Sequence, residues 1–337
     1  MPTIDVHAHV ATPGADAILA GHPELARQFA EDAATAGPAS SAYNREHIGA
    51  LIPQLTDPAL RLAAMDAAGV DIQTVSATPA PRHWTDPELA QRYTRASNGE
   101  VAAHCAAAPD RLRPIATVPL HHPDLAIAEL AVAIDDLGAV GVQISTSAGA
   151  GRELDDPALA PFWAWVEAHA VPVLVHPWGC SLGARLDIGY MFNHVGNPTE
   201  TSVALSRLIF GGVLDRHPGL RLWAAHGGGW LPSYSGRADH AWDSREDART
   251  CARRPSDYLR EIFVDALVYT PRALRFLVDE QGADHVTIGT DYPFDMGVAD
   301  PIDRLHAAGL TADEIAGITT RSAAALFGDR LTNTRTS

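Results

Sequence analysis

Short runs that are apolar on both faces alternate along this chain with longer runs whose apolar residues recur at helical spacing. The strand-like runs cover residues 3–10, 72–78, 112–120, 140–146, 171–178, 220–226, 262–269 and 285–291. Segments such as VPVLVHPW and HVTIGTD lack the alternation of a half-exposed strand, as expected of parallel strands buried under helices. Helix candidates lie between them at 58–68, 86–108, 124–137, 157–169, 199–216, 271–279 and 301–308. The first follows Asp57, a good N-cap, and has proline at its first helical position. Residues 11–55 are weakly patterned and read as a small insertion after the first strand.

Eight strands with helices between them predict an α/β fold, a (β/α)8 TIM barrel, as one catalytic domain over residues 1–330. The rival, a doubly wound open sheet, calls for a glycine-rich phosphate turn after the first strand, and HAHVATPGAD is not one. The polar end, residues 331–337, reads as a frayed tail.

Composition narrows the chemistry. The formal charge of −16 argues against a nucleic-acid partner, which needs a basic face. No apolar run is long enough to span a membrane. The N-terminus lacks the basic and apolar regions of a signal peptide, and three scattered cysteines form no disulfide framework, so a cytoplasmic location is expected. All 25 basic residues are arginine, which excludes a Schiff-base lysine, a Walker lysine and a carboxylated-lysine metal bridge. The 16 histidines direct attention to where they fall.

They fall at strand ends. Strand one ends in His7-Ala8-His9, strand five in His176-Pro177-Trp178, strand six in His226 followed by three glycines, and strand eight in Asp291-Tyr292-Pro293. In a TIM barrel these ends share the catalytic rim. His7 and His9 project to the same face, roughly 7 Å apart by strand geometry. With a third histidine and an aspartate they compose an N3O set suited to Zn²⁺ or a related ion with an open position for water.

These motifs give the chain a family resemblance. IDVHAHV, LVHPWG, the run from GNPTETSVAL to AAHGGG, and VTIGTDYPF resemble the amidohydrolase superfamily, and within it the aminocarboxymuconate semialdehyde decarboxylase (ACMSD) family. The resemblance implies a metal-dependent barrel in which His7, His9, His176 and Asp291 hold a single divalent ion, Zn²⁺ first, with Mn, Co or Fe as alternatives, and no organic cofactor. It implies that His226 is the catalytic histidine beside the metal, with Asp291 a second proton donor. It also implies a homodimer in which Arg237 crosses the interface to bind a substrate carboxylate. The activity implied is non-oxidative decarboxylation of a small unsaturated or aromatic carboxylic acid, a carboxymuconate-semialdehyde-type compound first. A hydrolase or hydratase using the same metal is the alternative.

Two segments depart from the family pattern. A second carboxylate-binding arginine is expected eight residues before Asp57, where this chain has Gly49; Arg45 is the nearest substitute. The segment 179–195 lacks the family's tryptophan-rich stretch. Trp178 either walls the pocket or packs on the rim. His194 reads as a loop residue, and His121 and His122 as surface residues capping a helix. Asp5 is either an outer support for the metal or a buried strand-end partner. Asp265 is placed to accept a hydrogen bond from a ligating histidine, and Cys180 reads as inert.

Overall fold

Parallel pairing runs without interruption from the first strand to the last. The computed structural model describes residues 1–149 and 151–331. Its strands are β1 (Ile4–Asp5), β2 (His9–Val10), β3 (Ile72–Ala77), β4 (Leu112–Thr117), β5 (Gly141–Ile144), β6 (Val173–Val175), β7 (Leu222–Ala224), β8 (Phe263–Asp265) and β9 (Val286–Thr287). Both β1 and β2 pair with β3, and each later strand pairs in parallel with the next. The ring closes where the chain after β9 meets the first strand: Val6 N–H donates to Ile288 O at 3.0 Å, Asp291 N–H to His7 O at 2.8 Å, and His9 N–H to Tyr292 O at 2.8 Å. The result is the TIM barrel expected, with strand one split in two where its register against β3 slips by one residue, between Asp5 opposite Gln73 and His9 opposite Ser76.

Several ladders are shorter than the apolar runs. The run 171–178 pairs only over Val173–Val175, and 285–291 only over Val286–Thr287. Among the residues left out, His176 and Asp291 each keep one backbone bond to the neighbouring strand, His176 N–H to Ile144 O at 3.0 Å and Asp291 N–H to His7 O at 2.8 Å, and their side chains reach the rim. At the other end the barrel is plugged by the helix Ser322–Phe327, whose Phe327 stacks edge-on with Trp223 at 5.3 Å. Both are fully buried, among Ile4, Val6, Leu174 and Ala225.

Helix starts follow the Asp-Pro and Thr-Pro pattern. Asp57, Asp86 and Thr270 accept the N–H of Ala59, Leu89 and Ala273 at 2.8, 2.9 and 3.1 Å, caps worth about 1 kcal/mol each. Residues 11–55 are more regular than their pattern implies: they form the helices Pro13–Leu19 and Pro23–Thr56. The second buries only Ala36, Gly37 and Leu55, so it carries no apolar stripe to read. It bends at Gly37, φ 78°, where a Cβ would stand 1.8 Å from Asp187 O. The two segments that depart from the family pattern therefore pack on each other. Residues 332–337, which include most of the expected tail, lie outside the described residues.

Candidate metal centre and active site

Four buried side chains converge at the rim. His7, His9, His176 and Asp291 are each at most 6% exposed, and one donor atom from each lies within 4.8 Å of all the others. His7 Nε2 and His9 Nε2 stand 3.1 Å apart, and Asp291 Oδ1 lies 3.5 and 3.2 Å from them. His176 Nε2 and Asp291 Oδ1 are buried without hydrogen-bond partners. Buried polar atoms are ordinarily paired, and lone pairs aimed at one point are what a divalent cation satisfies. The donor set fits a single divalent ion.

The outward-facing nitrogens fix that arrangement. His7 Nδ1 lies 2.7 Å from Asp265 Oδ2, and His176 Nδ1 lies 2.8 Å from Pro177 O. Each acceptor can only accept, so each Nδ1 carries a hydrogen, and in the neutral ring the lone pair is on Nε2, facing the quartet. His9 is set through a relay. Gln143 Nε2 donates to Ala77 O at 3.1 Å, which turns its Oε1 to accept from the Ser76 hydroxyl at 2.8 Å. Ser76 Oγ is then the acceptor for His9 Nδ1–H at 3.1 Å. Arg61, fully buried, donates to His9 O, to Gln73 Oε1 at 2.7 Å and to His104 Nε2 at 2.9 Å.

Charge is shared tightly. Burial works against a protonated His7, yet Asp291 and Asp265 outweigh it and raise His7 to about 9. Burial and neighbouring imidazoles hold His9 and His176 below their ordinary value. Burial also opposes ionisation of Asp291, but His7, His226 and His9 keep its carboxyl well below the usual range. Without an ion the quartet therefore holds one carboxylate, two neutral imidazoles and a proton on His7, which a bound ion would displace.

His226 joins the quartet from β7, with Nε2 3.5 Å from Asp291 Oδ2. It and Asp291 both have left-handed backbone, φ 57° and 55°, a conformation that costs a non-glycine residue about 1–3 kcal/mol and clusters at functional sites. The glycines after His226 continue the turn; at Gly229, φ 68°, a Cβ would meet Pro198 O at 2.4 Å. His226 opens onto a cavity of about 250 Å3 with Asn193, His194, Asn197, Trp230, Tyr269 and Met296 in its walls. Asn197 Oδ1 is buried there without a partner.

The other expected residues are more dispersed. Asp265 supports His7, as its position implied. Asp5 is a buried strand-end partner: it accepts from His7 N at 3.1 Å, Gln73 Nε2 at 2.7 Å and Thr290 Oγ1 at 2.6 Å. Trp178 is 36% exposed, and its indole N–H reaches Asp32 of the long helix. Arg237 stands exposed on the helix Leu231–Ser244, with no partner among the described residues. Arg45 is exposed on the helix Pro23–Thr56, and neither it nor Gly49 lines the cavities at His176 or His226. His194 lines the cavity from the turn Phe192–Gly196. His121 corrects the expectation of a surface cap: it is 6% exposed and lies 3.0 Å from Thr85 Oγ1. His122 occupies the N-cap position, but its ring turns to Thr85 O at 3.0 Å instead of capping. Burial raises the Cys180 thiol to about 11, so it stays protonated. Sequence reasoning missed Ser76, Gln143 and Arg61, whose roles depend on contacts between distant strands.

Comparison with known proteins agrees with this geometry. The amidohydrolase family model matches residues 4–328. The chain belongs to the amidohydrolase family. A 2-amino-3-carboxymuconate-6-semialdehyde decarboxylase of Dictyostelium discoideum is 35% identical over 244 residues, 72% of this chain and 68% of that protein. A gamma-resorcylate decarboxylase of Rhodococcus jostii is 33% identical over 287 residues, 80% of this chain and 86% of that protein. Among solved structures, a 2,6-dihydroxybenzoate decarboxylase with bound 2,6-dihydroxybenzoate superposes with a TM-score of 0.78 at 28% identity, covering 97% of this chain and 99% of that one. With decarboxylases among both its relatives and its structural neighbours, this amidohydrolase is a carboxy-lyase of the ACMSD-like group. No helix among the described residues is long and apolar enough to cross a membrane.

Proposed function

We propose that the protein is a metal-dependent, non-oxidative decarboxylase of a small planar acid bearing a hydroxyl, amino or carbonyl group beside the carboxylate it loses. The observation that carries this reading is the convergence of three imidazoles and Asp291 on one buried point, with His226 alongside at the mouth of a cavity. His7, His9, His176 and Asp291 hold the ion, Zn²⁺ first, with Mn²⁺, Co²⁺ and Fe²⁺ also admitted by the donor set. When bound, the ion polarises an oxygen next to the scissile carboxylate. The C–C bond breaks, CO2 leaves, and the electron pair stays on the substrate carbon. His226 Nε2 delivers the proton that takes its place, so no electrons are exchanged. Asp291 Oδ2, 3.5 Å away, is the second proton carrier. Asn197 Oδ1 accepts the hydrogen of the neighbouring hydroxyl or amino group.

A carboxymuconate-semialdehyde-type acid is the preferred substrate, supported by the Dictyostelium relative; an ortho-hydroxybenzoate is the other class. A homodimer in the cytoplasm belongs to the same reading. The exposure of Arg237, without a partner among the described residues and on a helix that also exposes Tyr234, supports a residue lent to a second copy. Trp178 closes the rim beside His176. The test is CO2 release by Zn- or Mn-loaded protein from carboxymuconate semialdehydes and ortho-hydroxybenzoates. Release from either class supports the reading; a product that gains water instead replaces it with hydration.

A further inference from the structure

Among the described residues, four that are not glycine have left-handed backbone, and three of them, Tyr190, His226 and Asp291, stand on loops of the rim. His226 and Asp291 serve the reaction described above; Tyr190 has no part in it. Its φ of 62° is nonetheless an outlier for so bulky a side chain. Such a conformation persists only where its surroundings hold it, and it gathers at functional sites.

The turn around Tyr190 is built to hold it. Met191 N–H donates to Ile188 O at 3.1 Å, Asn193 N–H to Tyr190 O at 3.0 Å, and His194 Nε2–H to Gly189 O at 3.0 Å. Phe192 braces the Tyr190 ring edge-on, with centroids 4.8 Å apart. The phenol so presented hydrogen-bonds the carboxylate of Asp295, four residues after Asp291 on the loop that follows β9. A second phenol takes the next residue: Tyr269 Oη, on the loop that follows β8, donates to Met296 O at 2.8 Å.

The loop they grip is closed on itself. Phe294 N–H donates to Asp291 O at 3.0 Å, Gly297 N–H to Phe294 O at 2.9 Å, and Val298 N–H to Thr290 O at 2.9 Å. It is also tight, since a Cβ at Gly297 would stand 2.6 Å from Thr290 O and 3.0 Å from Asp291 O. A displacement at 295–296 is therefore passed to Asp291. Asp295 is exposed, so water could satisfy its carboxylate, and burial does not require the Tyr190 bond.

We propose that Tyr190 and Tyr269 are positioning residues for Asp291: by pinning Asp295 and Met296 from two rim loops, they hold the Asp291 carboxylate at the metal point against its unfavourable backbone. The proposal rests on the reading of the quartet as a metal centre and adds what aligns its one carboxylate. Neither phenol belongs to the quartet, and each acts through the loop.

The probe is Co2+, whose visible absorption reports the geometry of the atoms that hold it. Affinity is read by chelator competition, the spectrum at saturation, and thermal melts on metal-free protein. Tyr190→Phe and Tyr269→Phe keep each ring and lose only the O–H. Each is expected to weaken Co2+ binding about 10-fold, the scale for partners one step behind the ligands, and to alter the saturated spectrum while the metal-free midpoint stays as in wild type. Asp295→Ala is expected to match Tyr190→Phe, and the two together to cost no more than either alone. Wild-type affinity and spectrum in either phenylalanine variant overturns the proposal, and so do additive losses for Tyr190→Phe and Asp295→Ala. A lowered metal-free midpoint with an unchanged spectrum assigns the phenols to the fold alone and also overturns it. A wild type that takes up no Co2+ overturns the metal-centre reading itself, a result distinct from equal affinities.

Discussion

The carboxylate of Asp265 binds His7 Nδ1 at 2.7 Å and, with the same two oxygens, the backbone N–H groups of His226 and Gly227 at 2.9 Å each. One buried side chain therefore sets both a metal-facing imidazole and the turn that carries the proposed proton donor. Asp265→Asn presents an amide that no longer attracts the His7 N–H as an anion does. The expected result is a loss of metal affinity of about 10–100-fold, measured by chelator competition.

The relay behind His9 makes a distinct prediction. Ser76→Ala leaves His9 Nδ1–H buried without its acceptor and is expected to weaken metal binding by roughly 10-fold. Gln143→Leu acts through Ser76, so adding it to Ser76→Ala is expected to cost little more, a non-additive pair. Additive losses in the same competition assay would show that Gln143 acts independently of Ser76.

Arg61 is a buried cation whose hydrogen bonds, to His9 O, Gln73 and His104, all go to neutral acceptors. Burial lowers it to about 10, still charged at neutral pH. Arg61→Leu leaves those acceptors unsatisfied, and urea unfolding is expected to show a loss of about 3–5 kcal/mol. The guanidinium also lies over Tyr292 at 4.9 Å, beside the metal-facing Asp291, so metal affinity is expected to fall along with stability.

Acid is expected to destabilise the metal-free protein before its carboxylates titrate. Burial lowers His83, His104 and His121 each to about 4. The unfolded chain, with ordinary histidines near 6.5, binds more protons than the folded one across that interval. Their contribution is thus complete above pH 6.5 and lost as pH falls toward 4, at no more than about 1.4 kcal/mol per pH unit for each histidine. His7 runs the other way, since its raised value gives stability below 6.5 that is lost as pH rises through about 9. Thermal melts of metal-free protein from pH 7 to 4.5 are expected to show a falling midpoint, with a shallower fall in His104→Gln.

The barrel and its quartet were legible because both depend on local pattern. Buried parallel strands are continuously apolar, and His7, His9, His176 and Asp291 stand where those runs turn polar. The paired strands are shorter than the apolar runs because regular pairing stops just before His176 and Asp291, each of which keeps only a single backbone bond to its neighbour. The helix Pro23–Thr56 was hidden by its exposure, which leaves no apolar stripe. Ser76, Gln143 and Arg61 gave no signal, because each acquires its role from a partner on another strand or helix. The left-handed backbone at His226 and Asp291 was equally silent, since neither residue type announces a positive φ.

The central claim joins one buried ion site to loss of CO2. Its most direct test measures metal content and CO2 release together in wild type, His176→Ala and His226→Gln, using an acid that the wild type turns over. The account predicts one ion and turnover in the wild type, neither in His176→Ala, and one ion with turnover lowered about 10²–10⁴-fold in His226→Gln. Full activity in metal-free His176→Ala, or in His226→Gln, would contradict it.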